Sequence, residues 1–337
     1  MKVGIDGASG YAGAELLRLC AGHPDLEVVV AGADSQAGQP VASVYPSLAG
    51  AYRSLCYSKV RTDDLDGLDL VFLALPHGES QKMAPALVGR VGMVVDLAAD
   101  FRLRDPAAYP TWYGAEHEAP GLLGRFVYGL PELFGAELEG AGLVAAPGCY
   151  PTAAALALAP LVRAGAVETT GIVVDAASGT SGAGRAPSAA LHFATVDENF
   201  TAYGLLTHRH TPEIEQAVGA QVLFTPHLAP MTRGILATCY ARPTGEVTTA
   251  DVLGILADAY AGAPFVTVSE EPPSTKATFG SNAAQITARV DGRTGWVLVL
   301  CALDNLGKGA SGQAVQCVNL VRGWPETRGL STMGVFP

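Results

Sequence analysis

Lys2-Val3-Gly4-Ile5-Asp6-Gly7-Ala8-Ser9-Gly10-Tyr11-Ala12-Gly13 runs from an apolar stretch into glycines spaced G-x-x-G-x-x-G. The run from Lys2 to Gly7 reads as a buried strand. Ala14-Glu15-Leu16-Leu17-Arg18-Leu19-Cys20 then carries apolar residues at helical spacing, and Leu26 to Ala31 reads as a second buried strand. Strand, glycine turn, helix and strand make a βαβ unit with a parallel sheet. In that setting glycine lets the backbone turn tightly and approach a pyrophosphate, while the helix start offers N–H groups and positive dipole. Gly7, Ala8, Ser9, Gly10, Tyr11, Ala12 and Gly13 are therefore candidate cofactor-binding residues; the bland alternative is a tight turn without a ligand. The second strand ends in Gly32-Ala33-Asp34-Ser35-Gln36. An acid there suits the ribose 2′-hydroxyl of NAD, whereas Ser35 and Gln36 offer donors to the 2′-phosphate of NADP, so both cofactors stay open.

The alternation continues outward from this unit. Leu70 to Leu75, Val91 to Leu97 and Leu143 to Ala146 read as strands, and Ser80 to Val88 reads as a helix. The N-terminal half is expected to be a Rossmann-like, doubly wound α/β sheet. After Cys149 the pattern changes. Ala153 to Leu161 reads as an alanine-rich buried helix. Gly171 to Asp175, Val222 to Thr225, Gly234 to Arg242, Gln285 to Asp291 and Trp296 to Leu303 read as strands not regularly interleaved with helices. This predicts an α+β domain with a mixed sheet. Ala250 to Ala261 and Gly312 to Val321 read as helices, the last one able to return to the first domain. The expected division is 1–148 plus about 308–337 for dinucleotide binding, and 149–307 for catalysis and oligomerisation.

Composition excludes several classes. With 21 basic and 32 acidic residues the net charge is −11, which repels a phosphate backbone and argues against nucleic-acid binding. A small anion remains allowed, because it feels local arginines. The six cysteines form no C-x-x-C pair, and no Cys/His spacing fits zinc, so no metal and a reducing cytoplasm are expected. The N-terminus shows no apolar leader segment or cleavage site. Gly140 to Val162 is uncharged and long enough to span a bilayer, but Pro147, Gly148, Pro151 and Pro160 interrupt it; it reads as core around a turn, without membrane partners.

Among the cysteines one stands apart. Cys149 lies in Ala145-Ala146-Pro147-Gly148-Cys149-Tyr150-Pro151-Thr152, where a strand ends, a Pro-Gly turn follows and a helix is expected from about Thr152. A thiol at a helix N-terminus is biased toward thiolate and suits nucleophilic catalysis. The other five sit in apolar runs, as small buried hydrophobes do. A proton partner is offered by His208-Arg209-His210-Thr211-Pro212-Glu213, where Thr211 and Pro212 read as N-cap and first helical residue. Either histidine can trade protons, with Glu213 orienting it. Ser178-Gly179-Thr180-Ser181-Gly182-Ala183-Gly184-Arg185 is a Gly/Ser loop ending in a guanidinium, and Asp100-Phe101-Arg102 offers a second. Ser178, Gly179, Arg185 and Arg102 are candidate ligands for a phosphate or carboxylate.

These motifs, together with Leu75-Pro76-His77-Gly78, Asp96-Leu97-Ala98-Ala99-Asp100, Tyr128-Gly129-Leu130-Pro131-Glu132 and Asp304-Asn305-Leu306-Gly307-Lys308-Gly309, appear in order along essentially the whole chain. The chain resembles the N-acetyl-gamma-glutamyl-phosphate reductases of arginine biosynthesis. The resemblance implies reduction of a small-molecule acyl phosphate by NADPH through a Cys149 thioester, with His210 or His208 as acid/base. It implies that Leu75, Pro76, His77, Gly78 and Ser35 lie by the cofactor, that Asn305, Gly307, Lys308 and Gly309 lie near the nicotinamide, and that the chain forms a homodimer or homotetramer. Many members carry arginine near Ala33-Asp34-Ser35, and this chain does not. Alternatives are an aminoadipyl-phosphate or aspartate-semialdehyde-type enzyme, a non-catalytic dinucleotide sensor and a cysteine hydrolase. The sensor has no need of the thiol and histidine pair, and the hydrolase none of the glycine loop.

Overall fold

A computed structural model describes all 337 residues, which cluster into two units. The first comprises Met1–Pro147 with Ala310–Leu330, and the second Gly148–Gly309 with Ser331–Pro337. The expectation that residues 308–337 return together to the first domain is corrected here. Ser331–Pro337 joins the second unit, where Asn282 N–H donates to the Ser331 carbonyl at 2.9 Å and Val335 N–H to that of Phe279 at 2.8 Å.

In the first unit β1 (Lys2–Asp6), α1 (Tyr11–Gly22) and β2 (Glu27–Ala31) form the expected βαβ start. They are followed by β3 (Leu70–Leu73), α2 (Ser80–Leu87), β4 (Val94–Asp96), β5 (Val127–Tyr128), α3 (Pro131–Leu138) and β6 (Leu143–Ala145). The strands form a six-stranded parallel sheet in the order β2-β1-β3-β4-β6-β5. β3, β4 and β6 are buried at every position, and apart from Asp96 at the end of β4 they are apolar throughout. The helix Gly312–Val321 packs on α1 and α3. β5 and α3 escape a periodicity reading: the strand has two residues and the helix breaks at Phe134. Chain direction across the sheet reverses between β1 and β3, the switch point beside which open α/β sheets bind ligands.

The second unit contains α4 (Cys149–Arg163), β7 (Ile172–Gly179), β8 (Thr201–Ala202), α5 (His210–Val218), β9 (Val222–Ala229), β10 (Ile235–Ala241), α6 (Thr249–Ala259), β11 (Val266–Val268), β12 (Ala284–Asp291) and β13 (Trp296–Leu303). Its seven-stranded mixed sheet runs β11-β12-β13-β10-β7-β9-β8. Only β11/β12 and β7/β9 pair in parallel. β7 and β10 alternate between buried and half-buried side chains, so one face is core and the other is not. α4 packs against α5, β10 and β13, and Tyr150 to Leu161 are all buried. It starts three residues before the expected Thr152 and runs through Pro160 to Arg163, two residues past the expected Leu161. Pro160 has no N–H for the Leu156 carbonyl, and the Tyr260 hydroxyl donates to that oxygen instead, at 2.6 Å. No helix of the chain is long and apolar enough to cross a membrane.

Candidate active site

The first unit supplies an anion cradle. Gly7 has φ +83°, and a Cβ there would lie 2.2 Å from the Ala74 carbonyl oxygen just past β3, so only glycine fits this turn. A Cβ on Gly10 would meet nothing closer than the Gly7 carbonyl at 3.4 Å, which leaves that side of the loop open. α1 has no side-chain cap and no acid in its first turn. Its orphan N–H groups and positive dipole end are therefore available to a pyrophosphate, and the residues fit a dinucleotide. Ser35 is exposed beside exposed Asp34. Burial pushes the Asp6 carboxyl at the end of β1 up to about 6, and the Asp34 charge adds to the rise.

The Leu75-Pro76-His77-Gly78 turn is fastened by a residue whose role the motif reading did not assign. The buried Asp100 carboxylate accepts from Gly78 N–H at 2.8 Å and from Gln81 N–H at 3.1 Å, and lies 2.5 Å from His77 Nδ1. These contacts hold the Asp100 carboxyl below its ordinary range despite its burial. Arg102 is 8 % exposed. It donates Nε to the Ala146 carbonyl and Nη2 to that of Leu97, both at 2.8 Å, which ties it to the chain just ahead of Pro147-Gly148-Cys149.

In the second unit Cys149 is the first residue of α4. Its N-cap, Gly148, is extended and carries no side-chain cap, and the first turn contains no acid, so the positive end of the dipole falls on the thiol. Cys149 is half-buried, whereas Cys20, Cys239, Cys301 and Cys317 are buried; Cys56, expected to be a buried hydrophobe like them, is exposed instead. Burial pushes the Cys20 and Cys301 thiols up to about 12 and moves Cys239 the same way, leaving them inert. Thr152 donates both its N–H and its hydroxyl to the Gly148 carbonyl at 2.9 Å.

α5 starts at His210, with Arg209 as its N-cap, two residues ahead of the Thr211 cap expected from sequence. His208 and His210 are brought together, with ring centroids 4.8 Å apart. His208 Nδ1 accepts from His210 N–H at 3.1 Å, which leaves the proton of a neutral His208 on Nε2. Burial, with the Arg209 charge adding, lowers His208 to about 4, so it is neutral through the physiological range. Glu213 is fully buried, and its Oε1 accepts from Gly148 N–H at 2.8 Å. The carboxylate expected to orient a histidine is seen to fasten the turn that presents the thiol. Two tyrosines complete this corner and went unassigned in the sequence reading. Tyr203 donates to the Tyr150 hydroxyl at 3.2 Å, and Tyr150 to the His227 carbonyl at 2.8 Å. Both rings pack edge-on against His208. Only the position of Tyr150 next to Cys149 signalled it.

Ser178 and Gly179 end β7, with Ser178 buried, whereas Arg185 lies on an exposed stretch. Asn305 is buried, its Oδ1 accepting from Gly234 N–H at 2.7 Å and its Nδ2 donating to Ser181 at 2.9 Å. Lys308 is fully buried, 5.7 Å from the Phe265 ring centroid. These two side chains are built into the second unit, so any contact of the 305–309 loop with a cofactor falls to its backbone. Gly307 and Gly309 are buried in the same unit.

Two family models match the chain: a semialdehyde dehydrogenase NAD-binding domain over residues 2–141 and a semialdehyde dehydrogenase dimerisation domain over residues 149–305. The N-acetyl-gamma-glutamyl-phosphate reductase of Symbiobacterium thermophilum is 52 % identical over 100 % of this chain and 99 % of its own. That of Desulforudis audaxviator is 48 % identical over 100 % of both. The chain belongs to the N-acetyl-gamma-glutamyl-phosphate reductase family. Like other members of this reductase family, it is an oxidoreductase with a nicotinamide-nucleotide-binding domain. Among solved structures, aspartate semialdehyde dehydrogenase II from Vibrio cholerae, complexed with ASA, superposes with TM-score 0.70 at 16 % identity, covering 96 % of this chain and 98 % of that one. Aspartate semialdehyde dehydrogenase from Candida albicans, with NADP, gives 0.66 at 14 % identity, covering 95 % and 98 %. At that identity the likeness is one of fold, and it agrees with a parallel-sheet unit joined to a mixed-sheet unit.

Proposed function

We propose that this chain reduces N-acetyl-L-glutamyl 5-phosphate to N-acetyl-L-glutamate 5-semialdehyde with release of phosphate, using NADPH, in arginine biosynthesis. The observation that carries the reading is a half-buried thiol at the first residue of α4, with its turn tied to Glu213 on the helix that starts at His210. Cys149 attacks the acyl phosphate carbonyl, forming a thioester as the carbon–oxygen bond to phosphate breaks. A bound nicotinamide supplies the hydride. Backbone N–H groups at the start of α4 stabilise the oxyanion. His210 moves the proton that the thiohemiacetal oxygen gains and loses, and the thiolate of Cys149 is regenerated as the aldehyde leaves. His208, neutral and hydrogen-bonded to the His210 backbone, positions His210 and the substrate. Arg102, Ser178, Gly179 and Arg185 are the proposed phosphate and carboxylate ligands, with Arg102 also setting the chain ahead of the nucleophile.

Gly7 to Gly13, Leu75 to Gly78 and the backbone of Asn305 to Gly309 are proposed to hold the cofactor. Ser35 is the proposed donor to a 2′-phosphate, the contact that favours NADP over NAD. The chain is proposed to act in the cytoplasm as a homodimer or homotetramer. The family model of its second unit is described as a dimerisation domain, and the outer sheet face there carries Val173, Tyr240, Trp296 and Leu298 around a hollow of about 350 Å³. The test is phosphate-dependent reduction of NADP⁺ by N-acetylglutamate semialdehyde, with NAD⁺ and the aminoadipyl analogue alongside. Turnover of the glutamyl substrate with NADP⁺ is expected. Turnover of only the longer substrate moves the chain to lysine biosynthesis, and silence throughout revives a sensor. Sedimentation of the purified chain reads the oligomer, and a monomer overturns that part.

A further inference from the structure

The loop after β13 is tied together by one buried carboxylate. Asp304 is fully buried. Its Oδ1 accepts from Leu306 N–H at 2.9 Å and Gly307 N–H at 2.8 Å. Its Oδ2 accepts from Gly280 N–H at 2.6 Å and lies 3.3 Å from Arg233 Nε. Its backbone carbonyl accepts from Gly309 N–H at 2.9 Å. This coil delivers the bare backbone of Gly309 to Cys149: a Cβ on Gly309 would lie 2.8 Å from the Cys149 Cβ, and 3.2 Å from both the Asp304 carbonyl oxygen and the Leu303 side chain. Gly309 is not in the left-handed region, so no backbone conformation demands glycine there. The close approach to the cysteine does.

We infer that Gly309 is the wall against which the thiol of Cys149 is set, and that Asp304, braced by Arg233, is a positioning residue acting on Cys149 through Gly309. A Cβ at 309 cannot be absorbed by rotation of a flexible side chain, because the atom it meets is the first carbon of Cys149, fixed to the α4 backbone. The start of α4 or the loop must shift, and the thiol leaves its place. Asp304 answers three backbone donors and a guanidinium with two carboxylate oxygens. An asparagine has one acceptor oxygen and turns an NH₂ group toward the remaining donors, so Asp304→Asn loosens the coil without changing its volume. The inference rests on Cys149 being the nucleophile.

The experiment uses the full chain with Gly309→Ala and Asp304→Asn, alongside Cys149→Ala. It reads kcat, the NADPH dissociation constant and the pH profile of Cys149 alkylation by iodoacetamide. Gly309→Ala is expected to lower kcat about 100-fold, the scale of a misplacement near 1 Å. It should alter the alkylation profile, and NADPH affinity should fall by less than kcat, because Gly309 is one of several backbone positions proposed to hold the cofactor. Asp304→Asn is expected to shift both readouts the same way, by about tenfold in kcat. Thermal melts report folding; if Gly309→Ala does not fold, Asp304→Asn carries the test alone. Unaltered alkylation in a folded variant overturns the inference, as does loss of NADPH affinity without any change at the thiol, since Gly309 would then serve the cofactor alone. If Cys149→Ala keeps its turnover, the nucleophile assignment fails instead, while the alkylation readout still tests the contact between Gly309 and Cys149.

Discussion

The two units place a loop by the same device, a buried carboxylate accepting several backbone N–H groups, yet they differ in how far apart the assembled residues lie in the chain. In the first unit Asp100 gathers Gly78 and Gln81 some 20 residues away, and the glycine turn is built within Gly7 to Gly13 against the end of β3. In the second, Asp304 joins Gly280 and Arg233, and the thiol corner draws on Cys149, Tyr203, His208, Glu213 and Gly309. A cradle for a dinucleotide needs mainly backbone donors and a helix start, which one short segment supplies. A nucleophile with its proton partner needs several side chains converging on one atom, and a mixed sheet brings these from distant segments. The two sites should therefore separate on mutation. The largest expected effect is Cys149→Ala, which should lower phosphate-dependent turnover by at least about 10⁴-fold, the scale seen when a covalent nucleophile is removed. NADPH binding, followed by fluorescence titration, should stay intact. Loss of both together, with the fold preserved, would break the division of labour.

The next effect tests the histidine pair. His210→Asn should lower kcat by about 10²- to 10⁴-fold, the usual worth of a positioned acid/base. His208→Asn should cost less, because His208 titrates near 4 and is already neutral where the enzyme works. Steady-state kinetics of the two variants across pH 5 to 9 decide between them, and a larger loss at His208 would reverse the assignment. The same comparison shows what was legible from sequence. The glycine turn between β1 and α1 could be read whole, because its geometry is carried by spacing within seven residues. Cys149 could be read because a strand, a Pro-Gly turn and a helix adjoin it. The carboxylates that fasten both sites could not. Asp100 acts through the backbone of another segment, and Asp304 joins its own loop to Gly280 and Arg233; no local pattern marks an acceptor for a distant donor. The early start of α4 was hidden by Pro151 and by the Pro-Gly turn, whereas its passage through Pro160 was legible and only the donor that makes it tolerable, Tyr260, 104 residues on, was not.

Acidity separates the units with opposite signs. In the first unit, burial pushes Asp96 up to about 7, with Asp100 adding to the rise and Ser80 and Arg102 opposing it. Its folded form holds a proton that an unfolded aspartate releases near 4, so its contribution to stability falls as pH rises from about 4 to 7. In the second unit His208 is lowered to about 4, so the unfolded form binds a proton first, and stability falls as pH drops from about 6.5 to 4. Denaturant unfolding across that range should show Asp96→Asn flattening the loss toward neutral pH and His208→Gln flattening the loss toward acid. If neither variant changes the slope, these two groups do not govern the pH response.

The smallest effect concerns how α4 is kept straight behind the thiol. Pro160 leaves the Leu156 carbonyl without its helical donor, and the Tyr260 hydroxyl fills that vacancy at 2.6 Å from the far side of the unit's sequence. Tyr260 is 5 % exposed, so Tyr260→Phe retains the packing and deletes only the hydroxyl, leaving a buried oxygen unsatisfied. The cost should be about 1–3 kcal/mol in urea unfolding, with no change in the denaturant slope. Because the hydrogen bond lies two turns along α4 from Cys149, kcat should change less than twofold, and the alkylation profile of the thiol should not move. A loss of stability with catalysis preserved sharpens the contrast between residues that hold the helix and residues that aim its first turn. A fall in kcat as large as that of Asp304→Asn would erase the contrast, since the thiol would then depend on the whole length of α4 rather than on Gly148, Glu213 and Gly309 at its start.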